Sequence, residues 1–300
     1  MKFAIHISTK NRKDDLIHTL NQIRSLCAQS NVECVVFDDG STDGTLEAVK
    51  NQFSQITLLR NETSRGYIYC RNKMLNETQA DYAVSLDDDA HFLSEKPLEI
   101  IESYFKENSN CGLIAFRIYW SKTLPVSTIT SQKPERVKSY VGCGHAWRMA
   151  AWRSIPNYPE WFEFYGEESF ASLQLFKNNW EIQYLPSVFI QHRVDLKQRK
   201  NIGSDFALRY RRGIRAGWFN VFLFYPFFKG LQFFGYSLWM QFKTKILKGN
   251  FRIVLPLLSA LFDLIYHFPK ILKQRNTFTR KEFATYAKLK EPKIYWKPEN

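Results

Sequence analysis

The segment VSLDDDAHF, residues 84–92, ends a short apolar run with three consecutive aspartates. Adjacent carboxylates repel one another, so this pattern is typical either of a solvated loop without further function or of a cation site. The apolar run before it has the length and composition of a buried strand. The segment therefore predicts a strand that delivers Asp87, Asp88 and Asp89 to one edge of a sheet.

Strands and helices are predicted to alternate on both sides of this segment. The strand-like runs are KFAIHIS (2–8), ECVVFDD (33–39), ITLLRN (56–61) and CGLIAFRI (111–118). Stretches with helical spacing of apolar residues lie between them, as in PLEIIESYFKEN (97–108). Apolar strands that alternate with amphipathic helices predict an α/β fold, with a mixed, mainly parallel sheet and helices on both faces. Ligands of such sheets bind beyond the carboxyl ends of the strands.

The charge of the chain is unevenly distributed. Residues 1–196 contain 21 Lys and Arg against 24 Asp and Glu, whereas residues 197–300 contain 21 against 5. The net charge is therefore −3 in the first part and +16 in the second. We predict a catalytic domain over 1–196 and a helical, basic and aromatic region over 197–300. Such asymmetry favours an anionic partner, either a membrane or a nucleic acid.

The cysteines and the N-terminal residues indicate the cellular compartment in which the protein is expected. The five cysteines are an odd number and form no CxxC pair, which argues against a disulfide framework or a thiolate zinc site. The sequence MKFAIHISTKNRKDD has too short an apolar stretch for a signal peptide. Both observations predict a cytoplasmic location.

A second acidic cluster lies in VVFDDGSTDGT, residues 35–45. Its glycines favour a tight turn, which could have no function beyond the turn itself. A calcium loop that begins at Asp39 would need a carboxylate at its twelfth position, where Lys50 stands, and no P-loop Gly-Lys pair is present. Asp38 and Asp39 could instead accept hydrogen bonds from a nucleoside, and a metal at the first cluster could hold a diphosphate. Together these clusters would form a nucleotide-sugar site.

A third group of candidate residues lies further along the chain. Glu167 and Glu168 open an amphipathic helix, where negative charge favours the helix dipole. The aromatic residues before them would desolvate a carboxylate and raise its pKa, which suits a general base. The strand-like run WEIQYLPSVFIQH (180–192) ends in His192, which could be a structural histidine or a metal ligand.

The ordered set of motifs resembles glycosyltransferase family 2, with the GT-A fold, and is most similar to its bacterial rhamnosyltransferase-like members. The resemblance covers residues 1–195 and depends on the order and spacing of several motifs, namely HISTKNR, VVFDDGSTDGT, SRGYIYCRN, SLDDDAHF, GEESFASLQLF and FIQH.

The resemblance implies roles for individual residues. Asp89 would be the direct metal ligand of a D-x-D pair, with Asp87 nearer the ribose and Mg²⁺ or Mn²⁺ as the cofactor. Glu168 would be the catalytic base, although the choice between Glu168 and Glu167 stays open. The donor nucleotide would contact five further residues, Thr9, Arg12, Asp38, Asp39 and Arg71.

The implied activity is that of an inverting glycosyltransferase. The donor would be a nucleotide-diphosphate sugar, and the acceptor a glycan or a lipid-linked glycan in surface polysaccharide synthesis. Two alternatives are a metal-dependent nucleotidyltransferase and a non-catalytic nucleic-acid-binding protein that uses the basic C-terminal region. A nucleotidyltransferase would be expected to have a glycine- and lysine-rich triphosphate loop near the N-terminus, which this sequence does not show. The nucleic-acid-binding alternative leaves the acidic strand ends unexplained, so no nucleic-acid partner is expected.

The C-terminal region is strongly aromatic. Its uncharged runs, 216–228 and 230–242, are interrupted by Lys229, and IVLPLLSALF (253–262) ends at Asp263. A membrane-spanning helix needs about 20 apolar residues. We therefore predict amphipathic helices that lie peripherally on the anionic cytoplasmic leaflet. Packing against the catalytic domain and a spanning hairpin are the alternatives.

Overall fold

The structure is a computed structural model and describes residues 1–194 and 206–298. A single sheet runs through its first part. The strand order is β3-β2-β1-β4-β8-β6-β9-β5, and β7 also pairs with β9. The strands are β1 Phe3–Thr9, β2 Val32–Asp38, β3 Thr57–Arg60, β4 Tyr82–Asp87, β5 Ala90–Phe92, β6 Cys111–Trp120, β7 Glu135–Val137, β8 Gly144–Arg148 and β9 Glu181–His192.

The first four strands in the sheet order are parallel, and β8 then joins β4 in the antiparallel direction. Helices of the first part cover both faces. They are α1 Lys13–Gln22, α2 Arg24–Cys27, α3 Thr45–Gln52, α4 Tyr67–Glu77, α5 Pro97–Glu107, α6 Met149–Arg153 and α7 Glu167–Lys177.

The alternation of side chains along β1 divides the apolar core. Phe3, Ile5 and Ile7 pack with residues of α1, α3 and α5 on one face of the sheet. Ala4 belongs to the core of the other face, together with residues of α4, α6 and α7. The predicted mixed, mainly parallel sheet with helices on both faces is confirmed.

The C-terminal region is helical and shares the second of these cores. Its helices are α8 Phe206–Phe224, α9 Phe227–Thr244, α10 Val254–Gln274 and α11 Arg280–Ala287. Phe219 and Leu264 from this region lie in one apolar cluster with Phe162 and Trp147 from the catalytic part. The predicted domain boundary between residues 196 and 197 lies outside the described residues.

The helix α10 has two unlike faces. Its inner face packs on α8 and includes Asp263, which pairs with Arg211 and Arg215. Its outer face is a stripe of exposed apolar side chains at helical spacing, Leu255, Leu258, Phe262, Ile265 and Leu272. Within the described ranges, Phe251–Gln274 is the one helical stretch that is long and apolar enough to cross a membrane, judged by length and composition alone.

Candidate active site

The carboxyl ends of four strands meet at one edge of the sheet. Thr9 ends β1, Asp39 follows β2, Asp87 ends β4 and His192 ends β9. A cavity of about 720 Å³ opens at this edge. Its wall includes those four residues together with Arg12, Glu167 and Glu168. The three acidic clusters that the sequence singles out therefore face one space.

Asp87, Asp89 and His192 form a cluster in which one potential ligand atom of each lies within 4.8 Å of the others. His192 Nε2 lies 2.9 Å from Asp89 Oδ1 and 3.8 Å from Asp87 Oδ2. Asp89 and His192 are buried, and Asp87 is partly exposed to the cavity. Although burial opposes a charged imidazole, contacts with Cys143 and Asp89 raise the pKa of His192 to about 11. A divalent cation that replaces this imidazole proton could then be held by the two carboxylates and the neutral imidazole.

Two arginines occupy the remaining oxygens of the two carboxylates. Arg12 Nη2 donates to Asp89 Oδ2 at 2.7 Å, and Arg71 Nη2 donates to Asp87 Oδ1 at 2.7 Å. Each carboxylate thus binds an arginine with one oxygen and turns the other towards His192. Arg71 is buried behind the cavity wall, where it also donates to the Gly142 carbonyl. Both arginines therefore orient the potential metal ligands.

The middle aspartate of the triplet points elsewhere. Asp88 accepts a hydrogen bond from Thr9 Oγ1 at 2.8 Å and lies 3.3 Å from Arg12 Nε. Its backbone carbonyl accepts from Thr19. Burial raises the pKa of Asp88 to about 7. Asp88 and Thr9 therefore connect the ends of β4 and β1 beneath the cluster.

Asp38 and Asp39 take different positions at the end of β2. Asp38 is fully buried, accepts from the Ser41 amide and lies 3.5 Å from Arg60. The carboxylate of Asp39 reaches the cavity but already accepts four hydrogen bonds, from Asn61, Ser64, Arg65 and Gly66. Although burial opposes ionisation, these bonds hold the pKa of Asp39 below its usual range. Asp39 thus orders the loop 61–66, part of which lines the cavity.

Glu167 and Glu168 open α7, as the sequence predicts. Glu167 accepts a hydrogen bond from Tyr67 Oη at 2.6 Å and is almost fully buried. Glu168 faces Gly142, where an added Cβ would collide with its Oε1. Burial and the neighbouring Glu167 raise the pKa of Glu168 well above its usual value.

Tyr67 and Trp120 are two of the cavity-wall residues that the sequence reasoning did not single out. Tyr67, which fixes Glu167, lies within the motif SRGYIYCRN and could have been singled out there. Trp120 ends β6 and its ring lies 4.3 Å from that of His192. An aromatic residue at the end of a strand was the available signal. Trp147 and Trp152 are buried core residues and are not among the residues that line this cavity.

Comparison with curated proteins gives partial matches. The chain is 29% identical over 127 residues to an uncharacterized glycosyltransferase of Bacillus subtilis, YfnE, which covers 40% of this chain and 31% of that protein. It is 27% identical over 133 residues to the Escherichia coli UDP-Glc:alpha-D-GlcNAc-diphosphoundecaprenol beta-1,3-glucosyltransferase WfaP, with coverages of 44% and 52%. The matches therefore span about a third to a half of the length of these relatives.

Solved structures share the fold. Residues 1–349 of S. aureus TarS, in complex with UDP-GlcNAc, superpose with a TM-score of 0.60 at 18% identity, over 92% of this chain and 84% of that one. The mannosyltransferase PcManGT of Pyrobaculum calidifontis, in complex with GDP-Man and Mn²⁺, gives 0.54 at 14% identity, over 95% and 78%. The predicted GT-A fold is confirmed. The sequence model of Glycosyl transferase family 2 matches residues 4–153, half of the chain, and the protein therefore belongs to glycosyl transferase family 2, as its motifs predict.

Proposed function

We propose that this protein is an inverting glycosyltransferase that moves a sugar from a nucleotide-diphosphate donor to a hydroxyl group of a glycan or lipid-linked acceptor. One observation carries the proposal: Asp87, His192 and Glu168 line the same cavity of about 720 Å³. A metal-ligand cluster and a carboxylate with a raised pKa thus line one space within the usual size range of ligand pockets, roughly 300–1,000 Å³.

The residues present fit a divalent cation. Asp89 Oδ1 is buried and lies 2.9 Å from His192 Nε2, so its neighbour is another potential ligand of the same cation. Carboxylates suit both Mg²⁺ and Mn²⁺, and the added imidazole ligand favours Mn²⁺, which is a transition-metal ion. Asp87, Asp89 and His192 would hold it, and when bound it would neutralise charge on the departing diphosphate. Two proteins of similar fold, GalNAc-T7 and PcManGT, were solved in complex with Mn²⁺, which supports this choice.

The remaining donor contacts follow from the cavity wall. The loop 61–66, which Asp39 orders, supplies Ser64, Arg65 and Gly66 to the wall beside the cluster. The backbone amides of Arg65 and Gly66 already bind Asp39, so the guanidinium of Arg65 is the group there that suits an anionic nucleotide. Arg71 lies behind the wall and acts on the site through Asp87. We assign the nucleoside to the Asp39 side of the cavity and the sugar to the side nearer Glu168.

Glu168 is the proposed base. Its raised pKa makes it a better proton acceptor than an ordinary glutamate. Glu167 is already engaged with Tyr67 and is less accessible. Glu168 takes the proton of the acceptor hydroxyl, whose oxygen forms a bond to the anomeric carbon while the bond to the diphosphate breaks. Attack from the face opposite the diphosphate inverts this carbon in a single displacement.

We further propose that the chain lies peripherally on the cytoplasmic face of an anionic membrane. The outer face of α10 is an apolar stripe, and α9 also exposes Phe228, Tyr236 and Trp239. The C-terminal third carries a net charge of +16. Exposed apolar surface bordered by cations is typical of interfacial helices. The Asp263 ion pairs on the inner face of α10 support a helix that packs on α8 and does not cross the bilayer.

The proposed activity can be tested with a panel of UDP-, dTDP- and GDP-sugars. We expect the purified chain to hydrolyse at least one of them slowly in the presence of Mn²⁺, and EDTA to stop the reaction. Nucleoside diphosphate release is the readout, with Asp87→Asn as the inactive control. Binding or hydrolysis that is insensitive to EDTA for every donor would contradict the metal assignment, and no metal-dependent binding of any donor would contradict the proposed function.

A further inference from the structure

A second cavity of about 530 Å³ adjoins the first. The two share part of their wall, including Gly142 and Glu168. The second cavity lies between the loop that connects β7 to β8, the helix α8 and the segment after α11. Of the two glutamates that open α7, only Glu168 lines both cavities. The proposed base therefore stands at the junction of two spaces.

The composition of the second cavity indicates its ligand. Tyr225 and Tyr286 provide aromatic surface, and Ser139 and Asn220 provide neutral polar groups. Among the residues that the structure describes, the one cation in its wall is Lys138, which is bound to Glu291 at 2.6 Å. A diphosphate would therefore find no unpaired cation among the described residues of this wall, whereas a sugar ring has both apolar C–H faces for aromatic rings and hydroxyl groups for polar side chains.

Asn220 supplies an independent observation. It is 95% buried, with a relative exposure of 5%, and it lines the second cavity. Its Nδ2 donates to the Gly166 carbonyl at 2.9 Å, but its Oδ1 has no hydrogen-bond partner in the described ranges. A buried acceptor without a donor is unfavourable, and a ligand hydroxyl would satisfy it.

We infer that the second cavity binds an uncharged saccharide unit of the acceptor and presents its hydroxyl group to Glu168. This inference rests on the proposed function, because it places the acceptor of that reaction. It assigns acceptor recognition largely to the C-terminal region, through α8, Tyr286 and the segment that follows α11.

Gly217 offers a direct test. It lines the second cavity, and a Cβ placed on it would meet no other atom within 4 Å. Gly217→Phe therefore adds a bulky side chain to the wall of the cavity at a position where its Cβ meets no neighbour. Gly213→Phe is the matched control, since Gly213 lies one turn earlier on α8, is equally open and does not line either cavity.

The probe is a mixture of methyl glycosides of common hexoses and N-acetylhexosamines, observed by saturation-transfer-difference NMR with the full chain, UDP and Mn²⁺. We expect at least one glycoside to bind at millimolar concentration, at least tenfold more weakly to Gly217→Phe and equally well to Gly213→Phe. Asn220→Leu should weaken it roughly fivefold, as expected for one lost hydrogen bond.

Calorimetric titration of UDP in the presence of Mn²⁺ separates the two proposals. UDP affinity should be unchanged in all three variants. If UDP binds but no glycoside binds the wild-type chain, or if Gly217→Phe binds glycosides normally, the saccharide assignment is wrong. If none of UDP, dTDP and GDP binds with Mn²⁺, the donor proposal fails, whatever the glycosides do; if dTDP or GDP binds in place of UDP, that nucleotide replaces UDP in both measurements.

Discussion

At the scale of single residues, the site depends on which partner each carboxylate oxygen binds. Asp87 and Asp89 each give one oxygen to an arginine and one to the cluster with His192. Asp88, between them in sequence, gives its oxygens to Thr9 and Arg12. Three chemically identical neighbours thus have two different functions, because their side chains leave the end of β4 in different directions.

The same isosteric substitution at the three positions should therefore have unequal effects. Loss of a residue that only hydrogen-bonds to a metal ligand typically lowers metal affinity roughly 10–100-fold. We expect Asp87→Asn and Asp89→Asn, which remove proposed ligands, to lower Mn²⁺ affinity by more than this. Asp88→Asn should lower it by less than tenfold, because Asp88 does not face the cluster. Calorimetric titration of Mn²⁺ measures all three. Equal losses at the three positions would contradict the assignment of ligands.

The base can be identified by a similar comparison. Glu168→Gln should lower the transfer rate roughly 10²–10⁴-fold, the usual contribution of general-base catalysis. The donor affinity should be retained, since the amide keeps the size of the side chain. Glu167→Gln is the matched variant and should lose less, because its contact with Tyr67 can be kept by an amide oxygen. The reverse order of the two losses would identify Glu167 as the base.

The raised pKa of Glu168 also predicts a dependence of stability on pH. Folding favours the protonated form, so the free energy of unfolding contributed by this group is highest at low pH. It is lost as the pH rises from the ordinary glutamate value through the raised one. Glu168→Gln should therefore become more stable relative to the wild type as the pH rises. Melting temperatures of both chains between acidic and mildly alkaline pH test this, and a constant difference would contradict it.

Sequence reasoning identified the acidic residues but not their hydrogen-bond partners. Strand periodicity placed Asp39, Asp87 and His192 at strand ends, since apolar strands of a covered sheet end where polar residues begin. It could not show that the carboxylate of Asp39 accepts its hydrogen bonds from the loop 61–66, or that Arg71 lies behind the wall of the first cavity. Those facts depend on side-chain directions, which spacing along one chain does not determine.

At the scale of elements, the loop between β7 and β8 separates the two cavities. Gly142 in this loop accepts from Arg71 through its carbonyl and leaves space for Glu168 on its Cα. On the other side, Gly166 precedes α7 with a left-handed φ of +86° and lies close to Ala216 of α8. The two glycines thus allow the loop and the helix to approach Glu168 from opposite sides.

Gly142→Ala should displace the base. The added methyl group collides with Glu168 Oε1, and a displacement of about 1 Å at a reacting group can lower a rate by roughly 10²-fold. The affinity for UDP with Mn²⁺ should change little. Gly213→Ala, at an open helical position, is the control and should leave the rate unchanged.

A double variant makes this test specific. Glu168→Asp shortens the side chain and relieves the collision, so the losses from Gly142→Ala and Glu168→Asp should be less than additive. Strictly additive losses, or a normal rate in Gly142→Ala alone, would show that the glycine does not control the position of Glu168.

At the scale of the whole molecule, the C-terminal helices are part of the second core and are also exposed. Phe219 and Leu264 pack with the catalytic part, while the outer face of α10 carries Leu258 and Phe262. The sequence pattern predicted that these helices are amphipathic, but it also suggested that the apolar segment of α10 ends at Asp263. The helix continues to Gln274, and Arg211 and Arg215, distant in sequence, pair with that carboxylate on its inner face.

The membrane proposal can be tested without removing these helices. Leu258→Gln with Phe262→Gln should reduce sedimentation with anionic liposomes by roughly tenfold or more, since each exposed apolar side chain contributes about 1.5–3 kcal/mol when fully buried. Binding of the wild-type chain should weaken with salt. The control is Leu124→Gln with Ile129→Gln, two apolar residues that are also exposed but lie outside the C-terminal region. Equal sedimentation of both double variants would contradict the proposal.

The contact between α8 and the start of α7 has a consequence for how such chains diversify. The family match ends at residue 153, whereas α8 begins at Phe206. On the proposed placement of the donor and the acceptor, a chimaera that exchanges the C-terminal helices of two relatives would inherit its donor preference from one parent and its acceptor preference from the other. The joint would have to keep a small residue at Ala216 and the amide of Asn220, because these two side chains meet Gly166. Recombination at this joint is a route by which one sugar could come to be attached to many different glycans.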